Sequence, residues 1–384
     1  MEHVLSLVGS YGSRRYEEDF VDRLNFQYTS HLFAFAALVG MYKVYFGGNP
    51  ITCWVPAEFT KGWTEYARDY CLIENTYFVP IEDPDMPEGT IREEQELPYY
   101  QWVQFILVFQ AFLFYAPHLF WRSVNWWSGL QVRAVITSAA GIEKDKPLPL
   151  EKVLATRNDS ITKVAKHIAL FESRRRKSWV SLMYLATKIL FILNIIFQIM
   201  LLHLFLGFSW NDFFRLRIGF NSDWASTGIF PRQTMCDFDI RTKGNVQKYS
   251  VQCVLAMNMV NEKIFLLLFY WLLALLVATV VNTFLWMQSM YSSRERREFA
   301  SRMLKAAGEH GDTFLQTPAL VINDEKTPLY ETHSPVDDRL AYQRFLSLNP
   351  ELATILNLIA ANAGDNVCSD VTAAIYRLHK QKSE

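Results

Sequence analysis

The sequence predicts an all-α membrane protein, a four-transmembrane-helix subunit with disulfide-stapled extracellular loops and a helical cytoplasmic dome. Three observations predict it. Of 384 residues 51% are hydrophobic, and the 28 Phe, 18 Tyr and 11 Trp exceed what a soluble chain uses. Four apolar runs are each long enough to cross a hydrocarbon layer of about 30 Å, which takes roughly 20 helical residues. Four of the five cysteines lie in two of the segments between runs, two in each, and none lies within a run.

The spans are placed at residues 28–46, 102–121, 181–207 and 264–287. The first is diluted by Thr29, Ser30, His31, Gly40 and Lys43, which suits a helix facing other protein or water. Pro117 near the end of the second should kink or terminate that helix. Thr187, Asn194 and Gln198 share one face of the third and are expected to hydrogen-bond to a neighbouring helix. The fourth contains no charged residue. A formal net charge of −1 gives no reason to expect a nucleic-acid partner.

Lysine and arginine orient the spans. The segment 122–179 carries 12 of them and the segment 47–101 only three, and basic loops stay in the cytoplasm. The middle loop (122–180) and both tails (1–27 and 288–384) are therefore expected inside and loop 47–101 outside; loop 208–263, with seven Lys/Arg, is ambiguous by charge and is placed outside by parity. Residues 1–27 hold Arg14, Arg15, Glu17, Glu18, Asp19, Asp22 and Arg23 and no apolar core, so the first span is expected to do its own targeting. Cysteine placement agrees: Cys53 and Cys71 fall in one outer loop, Cys236 and Cys253 in the other, and Cys368 inside as a free thiol. Four cysteines allow three pairings, which spacing leaves open.

In the first outer loop a short helix is expected over 57–70, with Pro56 at its entry and Glu58 in its first turn. Phe59, Trp63, Tyr66 and Tyr70 form an apolar stripe that should pack inward, with Cys71 at the helix end. Its polar face is read equally as pore vestibule or as packing element. The acidic run Glu82, Asp83, Asp85, Glu88, Glu93, Glu94 and Glu96, opposed only by Arg92, is read as a solvated loop rather than a cation-concentrating mouth. In the tail, Asn349 and Pro350 should open a helix with Leu352, Ile355, Leu356 and Ile359 on its apolar face, ended by Gly364. A second helix should follow Ser369 and carry Val371, Ile375 and Leu378, and residues 308–335 read as a linker.

Enzyme signatures are absent: the eight histidines form no metal-ligand cluster, and there is no phosphate-binding loop or nucleophile elbow. His31, His118 and His203 stand isolated near span ends. No enzymatic activity, cofactor or metal is expected. The one glycosylation sequon, Asn158-Asp159-Ser160, lies on the expected cytoplasmic side.

Tyr99-Tyr100-Gln101-Trp102-Val103, at the entry to the second span, resembles the YYQWV signature of innexins, the gap-junction proteins of invertebrates. Ile51 to Pro56, Thr76 to Pro80, Phe230-Pro231-Arg232, Met235 to Phe238, Asn261 to Phe265, Asp22 to Asn25 and Asn362 to Asp365 resemble the same family, so the likeness covers residues 19–300 and the terminal helices. Two cysteines per outer loop set the chain apart from connexins, and the lack of an outer sequon from glycosylated pannexins. Ala256 and Met257, and His118, depart from the family pattern locally.

The resemblance implies a ring, an octamer, of homo- or hetero-oligomeric innexin subunits around a pore in the plasma membrane. It implies docking with an opposing hemichannel on a neighbouring cell and passive passage of ions and small molecules through the gap junction. It pairs Cys53 with Cys253 and Cys71 with Cys236, folds the N-terminal segment into a pore funnel, and makes Glu2, Arg14 and Arg15 candidate pore charges. The rival readings are an undocked hemichannel and a non-junctional receptor or adhesion protein.

Overall fold

A computed structural model describes residues 17–80, 86–87, 92, 96–128, 132–141, 159–170, 179–207, 228, 230–309 and 349–383. The expectations for Glu2, Arg14 and Arg15, for most of the acidic run and for the linker 308–335 lie almost wholly outside these residues.

The first described element is a short helix α1 (Phe20–Arg23), which passes through a π-helical stretch (Leu24–Thr29) into α2 (Ser30–Tyr45). Strand β1 (Ile51–Trp54) and helix α3 (Lys61–Glu74) follow. Next come α4 (Tyr99–Ser128), α5 (Val132–Gly141), α6 (159–170) and α7 (Trp179–Leu206). Strands β2 (Gln233–Thr242) and β3 (Asn245–Leu255) lead directly into α8 (Ala256–Tyr291). The last described elements are α9 (Ser293–Glu309), α10 (Pro350–Ala363) and α11 (Asp365–Ser383).

Among the described residues, three helices are long and apolar enough to cross a membrane: Tyr99–Asn125 within α4, α7, and α8. At 1.5 Å per residue the 36 residues of α8 reach about 54 Å, well beyond a bilayer core, so the apolar centre carries helical extensions at both ends. Pro117 does not terminate α4, which continues to Ser128. Such prolines are tolerated in membrane helices because neighbouring groups re-satisfy the freed backbone. The first expected span is not one of the three. Its 16-residue helix α2 reaches about 24 Å and is continued N-terminally only through the π-helical stretch.

The fold is mostly helical but not all-α. Besides the helix expected in the first outer loop, segments of the two outer loops form a three-stranded antiparallel sheet, in the order β1-β3-β2. Its signal is short: four residues for β1, and a hairpin whose two-residue turn, Lys243-Gly244, takes positive φ at both positions. That is the turn geometry that matches strand twist.

The chain forms two compact units. One comprises residues 25–116 and 192–277; the other comprises residues 1–24, 117–191 and 278–384. In the first unit α2 packs on α4. Ser30 Oγ donates to the Ala111 carbonyl at 2.7 Å, and the Phe33 and Phe114 rings meet at 5.2 Å. In the second unit an apolar cluster of described residues draws on α5, α6, α9, α10 and α11, including Val135, Ile161, Phe299, Leu356 and Val371, and takes in Trp121, Tyr184 and Met290 near the ends of α4, α7 and α8. Leu352, Ile355, Leu356 and Ile359 of α10 are all buried, and Gly364 follows that helix with positive φ. Asn349 precedes α10 without a side-chain capping bond, and α11 begins at Asp365, before Ser369, because Asp365 and its neighbours complete its first turn.

Candidate functional site

Sulfur chemistry organises the first unit. Cys53 of β1 faces Cys253 of β3 in register, and their side chains are bonded. Cys71 of α3 is bonded to Cys236 of β2. The two bridges are neighbours, since Cys53, Cys71 and Cys253 sulfurs lie within 4.8 Å of one another. As disulfides they offer no thiolate to a metal ion. The segment before α4 and the segment between α7 and α8 are thereby tied into one module.

Helix α3 starts at Lys61, four residues later than expected, and carries Cys71 inside it rather than at its end. The expected inward stripe is corrected as well. Ala67 and Cys71 are fully buried, whereas Trp63 is 46% and Tyr66 52% exposed. The bridge to β2 draws in the narrow, small-residue side of the helix, leaving room for only the stripe's two ends. Phe59 and Tyr70 reach the hairpin, with ring centroids 5.2 Å from Tyr249 and 5.9 Å from Phe238 respectively.

The signature at the start of α4 holds this helix from its C-terminal side. The last carbonyls of a helix have no partner within it. The Gln101 amide donates to the carbonyls of Leu72 at 3.0 Å and Ile73 at 2.8 Å and to the side chain of Asn75 at 2.9 Å. Tyr100 is fully buried, and its hydroxyl donates to the Cys71 carbonyl at 3.3 Å. Tyr99 packs edge-on against Phe230 at 5.8 Å, and Phe230 stacks on Phe265 of α8 at 5.7 Å. Val103 is buried, and Trp102 is 58% exposed. Tyr99, Tyr100 and Gln101 thus clamp α3 and the segment leading to β2, and reach α8 through Phe230.

Arg92 is not left to a solvated acidic run. Its Nη1 pairs with Asp237 Oδ2 at 2.8 Å, and the Tyr77 hydroxyl donates to Asp237 Oδ1 at 3.1 Å. Burial, and then the Asp237 carboxylate, push the Tyr77 phenol up to about 12.

The second unit holds a cluster that sequence reasoning missed. Lys188, in the middle of an apolar helix, is fully buried. Its Nζ donates to Asp19 Oδ2 at 2.7 Å, to Asp22 at 2.9 and 3.0 Å, and to Asn282 Oδ1 of α8 at 2.6 Å. The Tyr184 hydroxyl donates to Asp22 at 2.7 Å, and the Trp286 indole to Asp19 at 2.6 Å. Both rings also face the ammonium, at 5.0 and 5.3 Å. Beside this cluster, Glu18 meets His118 and Glu17 accepts from Asn125 at 2.7 Å. Residues 17–22 are therefore bound to α4, α7 and α8 by charge-assisted bonds, with Asp19 also capping α1. The available signal was the lysine itself. An ammonium inside an apolar span is costly unless a partner is buried with it.

The polar face expected on α7 is mostly local. The Thr187 hydroxyl donates to Met183 of its own helix at 2.9 Å, and Gln198 reaches Asn194 at 3.5 Å. From these three residues, the one bond to another helix among the described residues is at the backbone, where the Gln198 carbonyl accepts from Gln110 of α4 at 3.5 Å.

Comparison with known proteins agrees in one direction. The family model described as Innexin matches residues 18–378. Innexin eat-5 of Caenorhabditis elegans is 32% identical over 378 residues, covering 92% of this chain and 85% of that protein. Innexin unc-9 of the same organism is 36% identical over 299 residues, covering 73% of this chain and 76% of its own, and Innexin-16 is 36% identical, covering 75% and 76%.

Proposed function

This chain belongs to the innexin family, and we propose that it forms, with other subunits of its kind, the wall of a gap-junction channel that passes ions and small molecules without catalysis. The disulfide-paired module carries this reading. A docking rim must keep its shape while it faces a second rim across an intercellular gap, and two adjacent bridges hold a sheet and a helix together without a large core. The module exposes Trp54, Trp63 and Tyr66, and aromatic residues are enriched where proteins meet.

In the full proposal the chain crosses the plasma membrane four times. The path from α1 through α2 supplies the first crossing, and both termini and the α5, α6, α9, α10 and α11 cluster lie in the cytoplasm. The arginine and lysine asymmetry between the loops supports that orientation. Eight subunits would close the ring, with the N-terminal segment, including Glu2, Arg14 and Arg15, lining its mouth. The Lys188 cluster and the neighbouring Glu17 and Glu18 contacts would be its anchor, since together they tie residues 17–22 to three long helices.

Paired cells that express only this chain test the reading. Junctional conductance and dye transfer between them are expected. Conductance confined to unpaired cells would replace it with an undocked hemichannel, and neither current, with a monomer on sizing in detergent, would favour a receptor.

A further inference from the structure

Within the first unit, at the loop end of α2 and α4, lies a cavity of about 310 Å³. Val44, Leu72, Phe105 and Met257 are among the residues that line it, and its walls are mostly apolar. A buried polar side chain on that lining has an atom without a partner among the described residues. Gln104 is 4% exposed, and its Nε2 makes no hydrogen bond. The amide lies flat against α2 because residue 40 is glycine: a Cβ there would stand 3.3 Å from Gln104 Cγ and 3.5 Å from Nε2. A buried N–H donor left unmade is costly, and an apolar cavity of this size is at the lower end of those that enclose organic ligands.

The cavity sits where the apolar stretch of α4 begins, at Tyr99. Tyr45, Trp102 and Phe105 around it are 66%, 58% and 54% exposed. Aromatic side chains of this kind collect at the headgroup level of a bilayer. At that depth an ester-linked lipid offers an apolar chain and, at its top, a carbonyl oxygen that accepts but does not donate. That is the complement of an apolar pocket with a buried free donor on its wall.

We propose that this cavity binds one membrane lipid per subunit, its acyl chain among Val44, Leu72, Phe105 and Met257 and its ester carbonyl on Gln104 Nε2. The site rests only on the chain lying in a bilayer, not on docking or on ring size. It is distinct from the Gln101 clamp next to it, whose amide is already spent on α3 carbonyls.

The test uses the full-length protein in nanodiscs made with a phosphatidylcholine that carries a photoreactive diazirine on its acyl chain. Labelling is expected on the peptides containing Leu72 and Phe105. Val44→Trp, which fills the cavity, should abolish it. Gln104→Leu should lower it about fivefold, the scale of one neutral hydrogen bond. The ether-linked analogue, which lacks the carbonyl, should label wild type and Gln104→Leu equally weakly. Competition by a sterol, but not by unlabelled ester lipid, would overturn the lipid assignment. Undiminished labelling in both variants, or cross-linking of these residues to a second copy of the chain that covers the cavity, would overturn the site. Cells expressing Val44→Trp should still couple, so loss of the lipid site and failure of the channel reading give different results.

Discussion

Replacing Lys188 by methionine removes the ammonium while keeping most of the side-chain volume, and it strands two carboxylates. Asp19 and Asp22 stand 2.7 and 2.9 Å from Nζ, with all three side chains at most 8% exposed. At those distances each pair attracts by about 6 kcal/mol at an effective dielectric of about 20. Desolvation offsets much of that attraction, and breaking such a buried pair costs about 3–5 kcal/mol because uncompensated charge stays inside. Lys188→Met is therefore expected to lower stability by that amount in a denaturing-detergent titration of the purified protein. The triple variant Asp19→Asn, Asp22→Asn, Lys188→Met should recover most of the loss, since an uncharged cluster has no stranded ion and Asn still caps α1. Junctional currents of the triple variant then report on how residues 17–22 hold the N-terminal segment when the charges are gone. A Lys188→Met protein as stable as wild type, or a triple variant no better than the single, would refute the reasoning.

Gln101→Leu should lose about 1–3 kcal/mol of stability in the same titration, because it leaves the Leu72 and Ile73 carbonyls without a donor. The raised Tyr77 phenol stabilises the fold below pH 10, the ordinary tyrosine value, and that contribution is lost as pH rises toward about 12. Tyr77→Phe should therefore remove the part of the alkaline stability loss that falls in this window, read from unfolding midpoints at successive pH values. Burial pushes the Cys368 thiol up to about 12, so it should resist maleimide at pH 8 in the folded protein and react fully after denaturation.

How much of this was legible varies by element. The apolar centres of α4, α7 and α8 follow from composition alone, because about twenty predominantly apolar residues in a row have few other uses. Helix α10 was legible from Pro350, its 3.6-residue pattern and Gly364, all of which are local signals. The strands were not. β1 has only four residues, and what makes it a strand is the arrival of β3 from two hundred positions away. The stripe on α3 misled for a related reason. Periodicity shows which residues share a face, but the bridge from Cys71 to Cys236 decides which face is drawn inward. Lys188 was visible as a letter but not as a site, since its partners come from α1 and α8.

By itself, then, the sequence determined the membrane class, the long apolar helices and the segregation of four cysteines from the fifth, because each depends on composition over a short stretch. Which sulfurs meet, which helix side is buried, what Gln101 clamps and what neutralises Lys188 were decided by tertiary structure. Those are contacts between residues from about 26 to 200 positions apart. No local pattern encodes such a meeting; it forms only when packing the long helices brings their connecting segments together.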